Sequence, residues 1–423
     1  MSDRRPRLLH LDAALLGDGG VVRDAAVVLD GARVLDVGRA EEVMPRATGA
    51  TPERLHGVVM PGLVNAHAHL ELSGLRGATV FGAGFVPWLE SMQAARLEEL
   101  EQERDAAIER ALAELVSAGV AAVGEVTNDL VAVARLSRVA HATVFHELFA
   151  LDAGQGRRRL AMMAEQRAAL DAVLRAPTVR YVVVPHALYS THPELVREVV
   201  SAADPDGPLT VHLAEHAAER AFLADGGGPL ARFFAQRGLS AALAAFPLAH
   251  QGPVAYARAL GLLRRGAALV HLADARAEEL DLVAEAGAYA VLCPRSNLHI
   301  EARLPPLDAM LSRGVAIALG SDSLASAPSL DPLADARALC DRFPEVPAAT
   351  LLAAACWGGA RAIGFGASLG RIAPGLAPGI VYVATEAPLA ADVDPAAWLL
   401  GERGAARRWL ARPGGLEPDG ARS

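Results

Sequence analysis

The chain has 423 residues, 52% of them hydrophobic and 21% charged, which suits a sizeable core and excludes wholesale disorder. A formal net charge of −9 argues against a general nucleic-acid binder with a basic face, although a small nucleoside pocket is independent of that balance. All 40 basic residues are arginine, which excludes a Schiff-base lysine, a phosphate-loop lysine and a carbamylated lysine bridging two metals.

In chain order, Met1–Arg5 is followed only by Leu8 and Leu9 before His10 and Asp12 interrupt, too short a run for a signal-peptide core. No later apolar run approaches the ~18 residues of a membrane span. With Cys293, Cys340 and Cys356 scattered outside any CxxC pair, a reducing cytoplasm is the expected compartment. Short β-segments are predicted at 8–11, 26–29 and 33–37, the last two separated by the turn pair Asp30-Gly31. Similar segments recur at 370–372 and 380–383, set among the Pro374-Gly375 and Pro378-Gly379 turns. Two β-rich ends around a different middle predict one small β-domain built from 1–58 plus 366–423.

The middle, 59–365, alternates apolar strands with amphipathic helices. Strands are predicted at 58–66, 119–125, 142–149, 179–185, 208–214, 267–272, 288–293 and 314–320. Among the intervening helices are 88–117, with Leu89, Met92, Leu97 and Leu100 toward the core, and 193–202. Eight buried strands alternating with helices indicate an α/β fold, a (β/α)8 barrel. An open doubly wound sheet is the runner-up, but no GxGxxG follows the first strand.

Seven residues at the ends of five predicted strands carry the chemistry. His67 and His69 are two apart on a strand, so they project from the same face, and two imidazoles there are half of a zinc or iron site. His212 ends a second predicted strand, and Glu215 three residues on would reach substrate rather than metal, as a proton shuttle does. His271 closes another apolar run, His186 follows Tyr181–Pro185, and Asp322 lies just past the eighth strand. Each alone has a structural explanation, such as a helix cap for Asp322. Their joint placement at C-terminal strand ends points to one site.

These residues and their blocks resemble the amidohydrolase superfamily, in its aminohydrolase branch of adenine-type and triazine deaminases. The blocks are Pro61–His69, His212-Leu213-Ala214-Glu215, Cys293-Pro294-Arg295-Ser296-Asn297 and Gly320-Ser321-Asp322-Ser323. The resemblance implies a distorted (β/α)8 TIM barrel with a small β-sandwich from both termini. It implies His67, His69, His212 and Asp322 as ligands of one divalent metal, zinc or alternatively iron. It further implies Glu215 as proton shuttle, His271 as the orienter of the hydrolytic water, and His186 and Arg295 as substrate contacts. His69-Leu70-Glu71-Leu72-Ser73, Gly84-Phe85-Val86-Pro87-Trp88 and 321–326 are most similar to 6-aminodeoxyfutalosine deaminases of the alternative menaquinone route. Relatives acting on adenosylhomocysteine, methylthioadenosine or guanine share the catalytic set. His299 and Glu301 depart from the usual pattern of their block, and Pro378-Gly379-Ile380 lacks the aspartate usual after that glycine.

The expected reaction is hydrolytic deamination of a purine-type nucleoside. Glu215 protonates a ring nitrogen, and Asp322 takes the proton of a water that His271 directs at the amine-bearing carbon. Triazine dechlorination and opening of a cyclic amide are the rival reactions on the same ligand set. A non-catalytic scaffold on this fold would typically have lost ligands that this chain keeps. The expected partner is a small molecule, with no nucleic-acid polymer or membrane, and a homodimer is the default assembly.

Overall fold

The computed structural model describes residues 6–402 and 405–413. The chain opens with strands β1 (Arg7–Leu15), β2 (Val21–Asp30), β3 (Arg33–Arg39) and β4 (Pro52–Pro61). A two-residue turn joins β2 to β3 across the Asp30–Arg33 pair, and Gly31 there takes φ +58° at no steric cost. The middle of the chain supplies β5 (Leu63–Ala68), β6 (Val120–Thr127), β7 (His141–Leu148) and β8 (Val179–Pro185). It continues with β9 (Leu209–Leu213), β10 (Ala267–His271), β11 (Tyr289–Leu292) and β12 (Ala316–Leu319). The last strands are β13 (Ile380–Ala384) and β14 (Arg407–Ala411).

Strands from both ends pair in one six-stranded sheet of order β14-β13-β4-β1-β2-β3. The expected segments 8–11, 26–29, 33–37 and 380–383 all lie in it, whereas 370–372 forms no strand, although the Ile372 side chain is buried and its amide donates to the Leu16 carbonyl at 2.9 Å. The eight middle strands form two four-stranded parallel sheets, β5-β6-β7-β8 and β9-β10-β11-β12. Single bridges join the two, Ala68 to Asp322 on one side and Ala187 to His212 on the other. Every residue of β5, β6, β9, β10 and β11 is buried, which is why these strands read as continuous apolar runs rather than alternating ones.

Two sequence expectations are corrected. The predicted strand 58–66 is divided between two sheets, because β4 pairs with β1 and β13 while β5 pairs with β6. The break falls at Gly62, where a Cβ would come within 2.5 Å of the Ala121 Cβ, so only glycine permits the crossing. The predicted helix 88–117 is two helices, Phe85–Glu98 and Glu101–Ser117, with Glu99 and Leu100 in extended conformation between them. Leu97 and Leu100 are exposed, not core-facing. The second helix is anchored instead by Ile108, Leu112 and Leu115, each fully buried and worth about 1.5–3 kcal/mol. Among the described residues, no helix is long and apolar enough to cross a membrane.

Candidate active site

Strand alternation puts His67, on β5, and His69, one residue past its end, on the same side. Asn65 fixes this segment to the loop after β12. Its Oδ1 accepts from the His67 and Ser321 amides, and its Nδ2 donates to Ser321 Oγ at 2.6 Å and the Leu330 carbonyl at 3.1 Å. Asp322 is thereby placed beside the histidines, its amide donating to the His67 carbonyl and its carbonyl accepting from His69, both at 3.0 Å. Asp322 Oδ2 accepts from the Ser296 and Ser326 hydroxyls, which leaves Oδ1 facing His67 Nε2 at 3.9 Å and His69 Nε2 at 3.7 Å.

His212 arrives from β9. Its Nδ1 lies 3.0 Å from the His186 carbonyl and 3.3 Å from Glu147 Oε1, so the proton sits on Nδ1. In the neutral imidazole the lone pair of Nε2 then points inward, 3.4 Å from His69 Nε2. Ligand atoms of His67, His69 and His212 all lie within 4.8 Å of one another. Both ring nitrogens of the fully buried His67 lack any hydrogen-bond partner, a cost of about 1–3 kcal/mol for such a group. Three imidazole nitrogens and one carboxylate oxygen are a four-ligand set suited to zinc, and the orphaned His67 is the site's clearest sign of an intended cation. Burial, reinforced by the neighbouring imidazoles, holds His67 well below its ordinary pKa, and burial also lowers His69. Both are therefore neutral, as ligands must be. Burial alone would lower His212 too, but Glu147 outweighs it and carries this imidazole up to about 9. A bound cation competes with that proton.

Glu215 follows β9 through Ala214, which adopts φ +48°. Its amide donates to Glu219 Oε2 at 3.0 Å, which fixes the turn. Burial raises the Glu215 carboxyl well above its usual range; His212 opposes and Asp322 adds to that effect. Its surroundings thus disfavour the ionised form, as suits a group that gives up a proton. Glu215 Oε1 stands 3.6 Å from Nε2 of His271, whose Nδ1 lies 3.2 Å from Asn297 Nδ2. Burial pushes His271 down to about 3, so it is neutral. Ala214, His271, Leu272 and Asp322 all adopt positive φ, which concentrates backbone strain at the strand ends that carry the site.

His186 lies just past β8, with Nδ1 2.7 Å from Ser190 Oγ and its ring 4.8 Å from that of His212. These side chains form the inner end of a cavity of about 370 Å³, whose outer walls include Phe85, Trp88, Leu89, Met92, Phe149 and Phe233. Seven of the sequence-predicted residues therefore come together: His67, His69, His186, His212, Glu215, His271 and Asp322. Arg295 does not join them. Its guanidinium is spent on Ser329, the Asp331 carbonyl and the buried Asp335, at 2.7–3.1 Å, and it does not line the cavity. His299 and Glu301 also stay outside, bonded to Thr79 and to the Phe85 amide.

Sequence reasoning missed Glu147 and Asn128. Glu147 is buried at the end of β7 and accepts from Asn128 Nδ2 at 3.2 Å. Burial would raise its carboxyl, but His186 and His212 outweigh that and bring it to about 2. Only its position at a strand end could have revealed it. Its neighbour His146 shares that position but turns away to the Tyr181 hydroxyl at 2.7 Å.

Residues 58–401 match the profile of the Amidohydrolase family. The chain is 30% identical over 351 residues to a 5-methylthioadenosine/S-adenosylhomocysteine deaminase of Nitratidesulfovibrio vulgaris, covering 79% of this chain and 73% of that protein. It is 30% identical over 371 residues to an aminodeoxyfutalosine deaminase of Deinococcus radiodurans, covering 85% and 86%. Its fold is similar to that of Helicobacter pylori aminofutalosine deaminase, solved with methylthio-coformycin, at a TM-score of 0.83, 20% identity and coverage of 96% and 98%.

Proposed function

The chain belongs to the amidohydrolase family and is a hydrolase of carbon–nitrogen bonds, and from that premise we propose a mononuclear, metal-dependent deaminase of an adenine-type nucleoside, with 6-aminodeoxyfutalosine as the first candidate substrate. The observation that carries the reading is the placement of the buried Glu215 carboxyl 3.6 Å from His271, beside the group formed by His67, His69, His212 and Asp322. Held by that group, zinc (iron being the alternative) would lower the pKa of a coordinated water from ~15.7 to about 7.

The remaining chemistry belongs to the chain. Asp322 Oδ1 takes a proton from the attacking water, and the His271 Nε2–H directs the oxygen at the amine-bearing carbon. Glu215 gives its proton to the adjacent ring nitrogen, so charge does not accumulate on the ring as the carbon becomes tetrahedral. The proton held on Asp322 passes to the departing amine. The C–N bond breaks, the proton of the added hydroxyl returns to Glu215 as the carbonyl forms, and ammonia leaves with one water consumed. Each proton-transfer group should contribute on the order of 10²–10⁴-fold. A ring-nitrogen donor suits an aromatic N-heterocycle better than a simple amide, which favours deamination over cyclic-amide opening. His186 and Glu147 face the same cavity and would contact the nucleoside's polar groups.

In this reading β5–β8 and β9–β12 are the halves of one distorted (β/α)8 barrel spanning 59–365. The segments 1–58 and 366–423 make up the β-sandwich, their junction falling inside β4; residues 1–5, 403–404 and 414–423 of that unit lie outside the described residues. The deciding experiment is an ammonia-release screen over adenine, guanine and cytosine nucleosides, including 6-aminodeoxyfutalosine and methylthioadenosine. Ammonia should come from adenine-type nucleosides with loss of the 6-amino group. Chloride from a chlorotriazine, or ring opening of a cyclic amide, with no ammonia from any nucleoside, would replace this function with a rival.

A further inference from the structure

Glu215 and His271 leave neighbouring strands, so the 3.6 Å between them depends on how the chain exits β9 and β10. Both exits are strained. Ala214 takes φ +48°, His271 +75° and Leu272 +48°, conformations that a residue with a side chain keeps only where its surroundings over-determine them. Part of that restraint is backbone pairing, with the Leu272 amide donating to the Leu213 carbonyl at 3.1 Å and the Asp274 amide to the Ala214 carbonyl at 2.7 Å. A guanidinium supplies a side-chain part. Resting on the deaminase reading above, we infer that Arg220 is a positioning residue for that reaction. It clasps the exit of β10 to the exit of β9, and so holds the Glu215 carboxyl and the His271 imidazole at the spacing where one supplies a proton and the other aims the water.

Arg220 lies in the helix Ala217–Asp225, which begins just past Glu215. Its Nε donates to Asp274 Oδ2 and its Nη2 to the Asp274 carbonyl, both at 2.7 Å. Nη1 and Nη2 also donate to Glu279 Oε1 and Oε2 at 3.0 and 2.8 Å, the bidentate pairing that a planar fork suits. Asp274 stands just beyond His271, and Glu279 belongs to the helix Ala277–Ala286 that follows. Asp274 Oδ1 accepts in turn from Arg303, which lies just beyond the helix Pro294–Glu301 that brings Asn297 to His271. None of Arg220, Asp274 and Glu279 lines the substrate cavity, so the clasp works through Glu215 and His271 rather than on the substrate. Their side chains are only 15%, 10% and 6% exposed. At that burial desolvation offsets much of the Coulombic attraction, and apolar residues of similar volume often serve stability as well. What apolar packing does not supply is direction. Four N–H···O bonds from one rigid plane fix both the separation and the angle of the two exits, and a misplacement of about 1 Å can cost on the order of 10²-fold in rate.

The test compares Arg220→Met with a neutral triple variant, Arg220→Met/Asp274→Asn/Glu279→Gln, on the ammonia-releasing nucleoside of the screen above, methylthioadenosine in the first instance. Arg220→Met strands two buried carboxylates, so its urea midpoint and its kcat should both fall, kcat by roughly 10- to 100-fold with KM within about twofold of wild type. The triple variant removes the stranded charges and should recover most of the midpoint while kcat stays low. Arg220→Lys should recover only part of kcat, because a point charge replaces the fork. In both variants that lack the guanidinium, deuterium uptake should rise at 213–216 and 271–275 but not within β6. If Arg220→Met does not fold, the triple variant and Arg220→Lys carry the comparison. The inference is overturned if kcat returns with stability in the triple variant, if the loss appears in KM instead, or if uptake at the two exits is unchanged. If wild type releases ammonia from no nucleoside, the deaminase reading fails, and the exchange measurement alone decides whether Arg220 holds the two exits together.

Discussion

Asn297 Nδ2 lies 3.2 Å from Nδ1 of His271, and because an amide nitrogen can only donate, Nδ1 is the acceptor. The neutral imidazole therefore carries its proton on Nε2, the nitrogen that faces Glu215. Asn297→Asp would demand a proton on Nδ1 instead and turn Nε2 into an acceptor. We expect kcat to fall on the order of 10²-fold with KM and bound metal little changed. Steady-state kinetics with metal analysis checks this, and an aspartate variant as fast as wild type would remove tautomer control from the mechanism.

Glu215→Gln should leave the fold and the metal content intact, since a neutral amide of nearly the same shape replaces a buried carboxyl whose ionised form burial disfavours. Ammonia release should drop by about 10²–10⁴-fold. Retained turnover in a variant with full metal content would transfer the proton-shuttle role elsewhere.

Arg295→Ala should act on stability rather than on substrate affinity. It strands the fully buried Asp335, whose carboxyl burial already pushes up to about 6 despite the 2.7 Å ion pair. Breaking such a pair from one side costs about 3–5 kcal/mol, and replacing both partners with apolar residues should recover much of that loss. Denaturant titration measures the first effect, and an unchanged KM in the residual folded enzyme checks the second half of the expectation.

Glu219 supplies a pH dependence. Burial raises its carboxyl from 4.5 to about 7, partly offset by the amides of Glu215 and Ala214. A raised folded-state value means that its stabilising contribution is complete below about 4.5 and is lost as the pH climbs through about 7. Glu219→Gln removes the titration, so its Tm should gain on that of wild type between pH 4.5 and 7. A difference in Tm that stays flat across that window would contradict the assignment.

The residues at strand ends were legible because each closes an apolar run, and in an α/β fold such positions converge. Strand 179–185 was placed to the residue for the same reason. Glu147 was not legible, since a glutamate closing an apolar strand looks the same whether it faces solvent or an imidazole. The break at Glu99-Leu100 carries no proline or glycine, and Leu97 extends the apolar period into a turn where nothing covers it. Arg295 sits in a family-like block, yet its partners Ser329 and Asp335 lie 34 and 40 residues away, a distance that no local spacing reports.

The seams between the two four-stranded sheets have a mechanical consequence. His67 and His69 come from the first sheet, His212 from the second and Asp322 from the loop that leaves it, while a single isolated β-bridge, rather than a continuous ladder, spans each seam. A cation gripped by all four side chains is a clasp across the weakest part of the backbone ladder. Chelation should therefore raise deuterium uptake at 66–69 and 319–323 before it does so within β6 or β10. With such a cation in place, water activation and cohesion of the molecule would depend on the same four side chains, so its removal should loosen the seams as well as stop turnover.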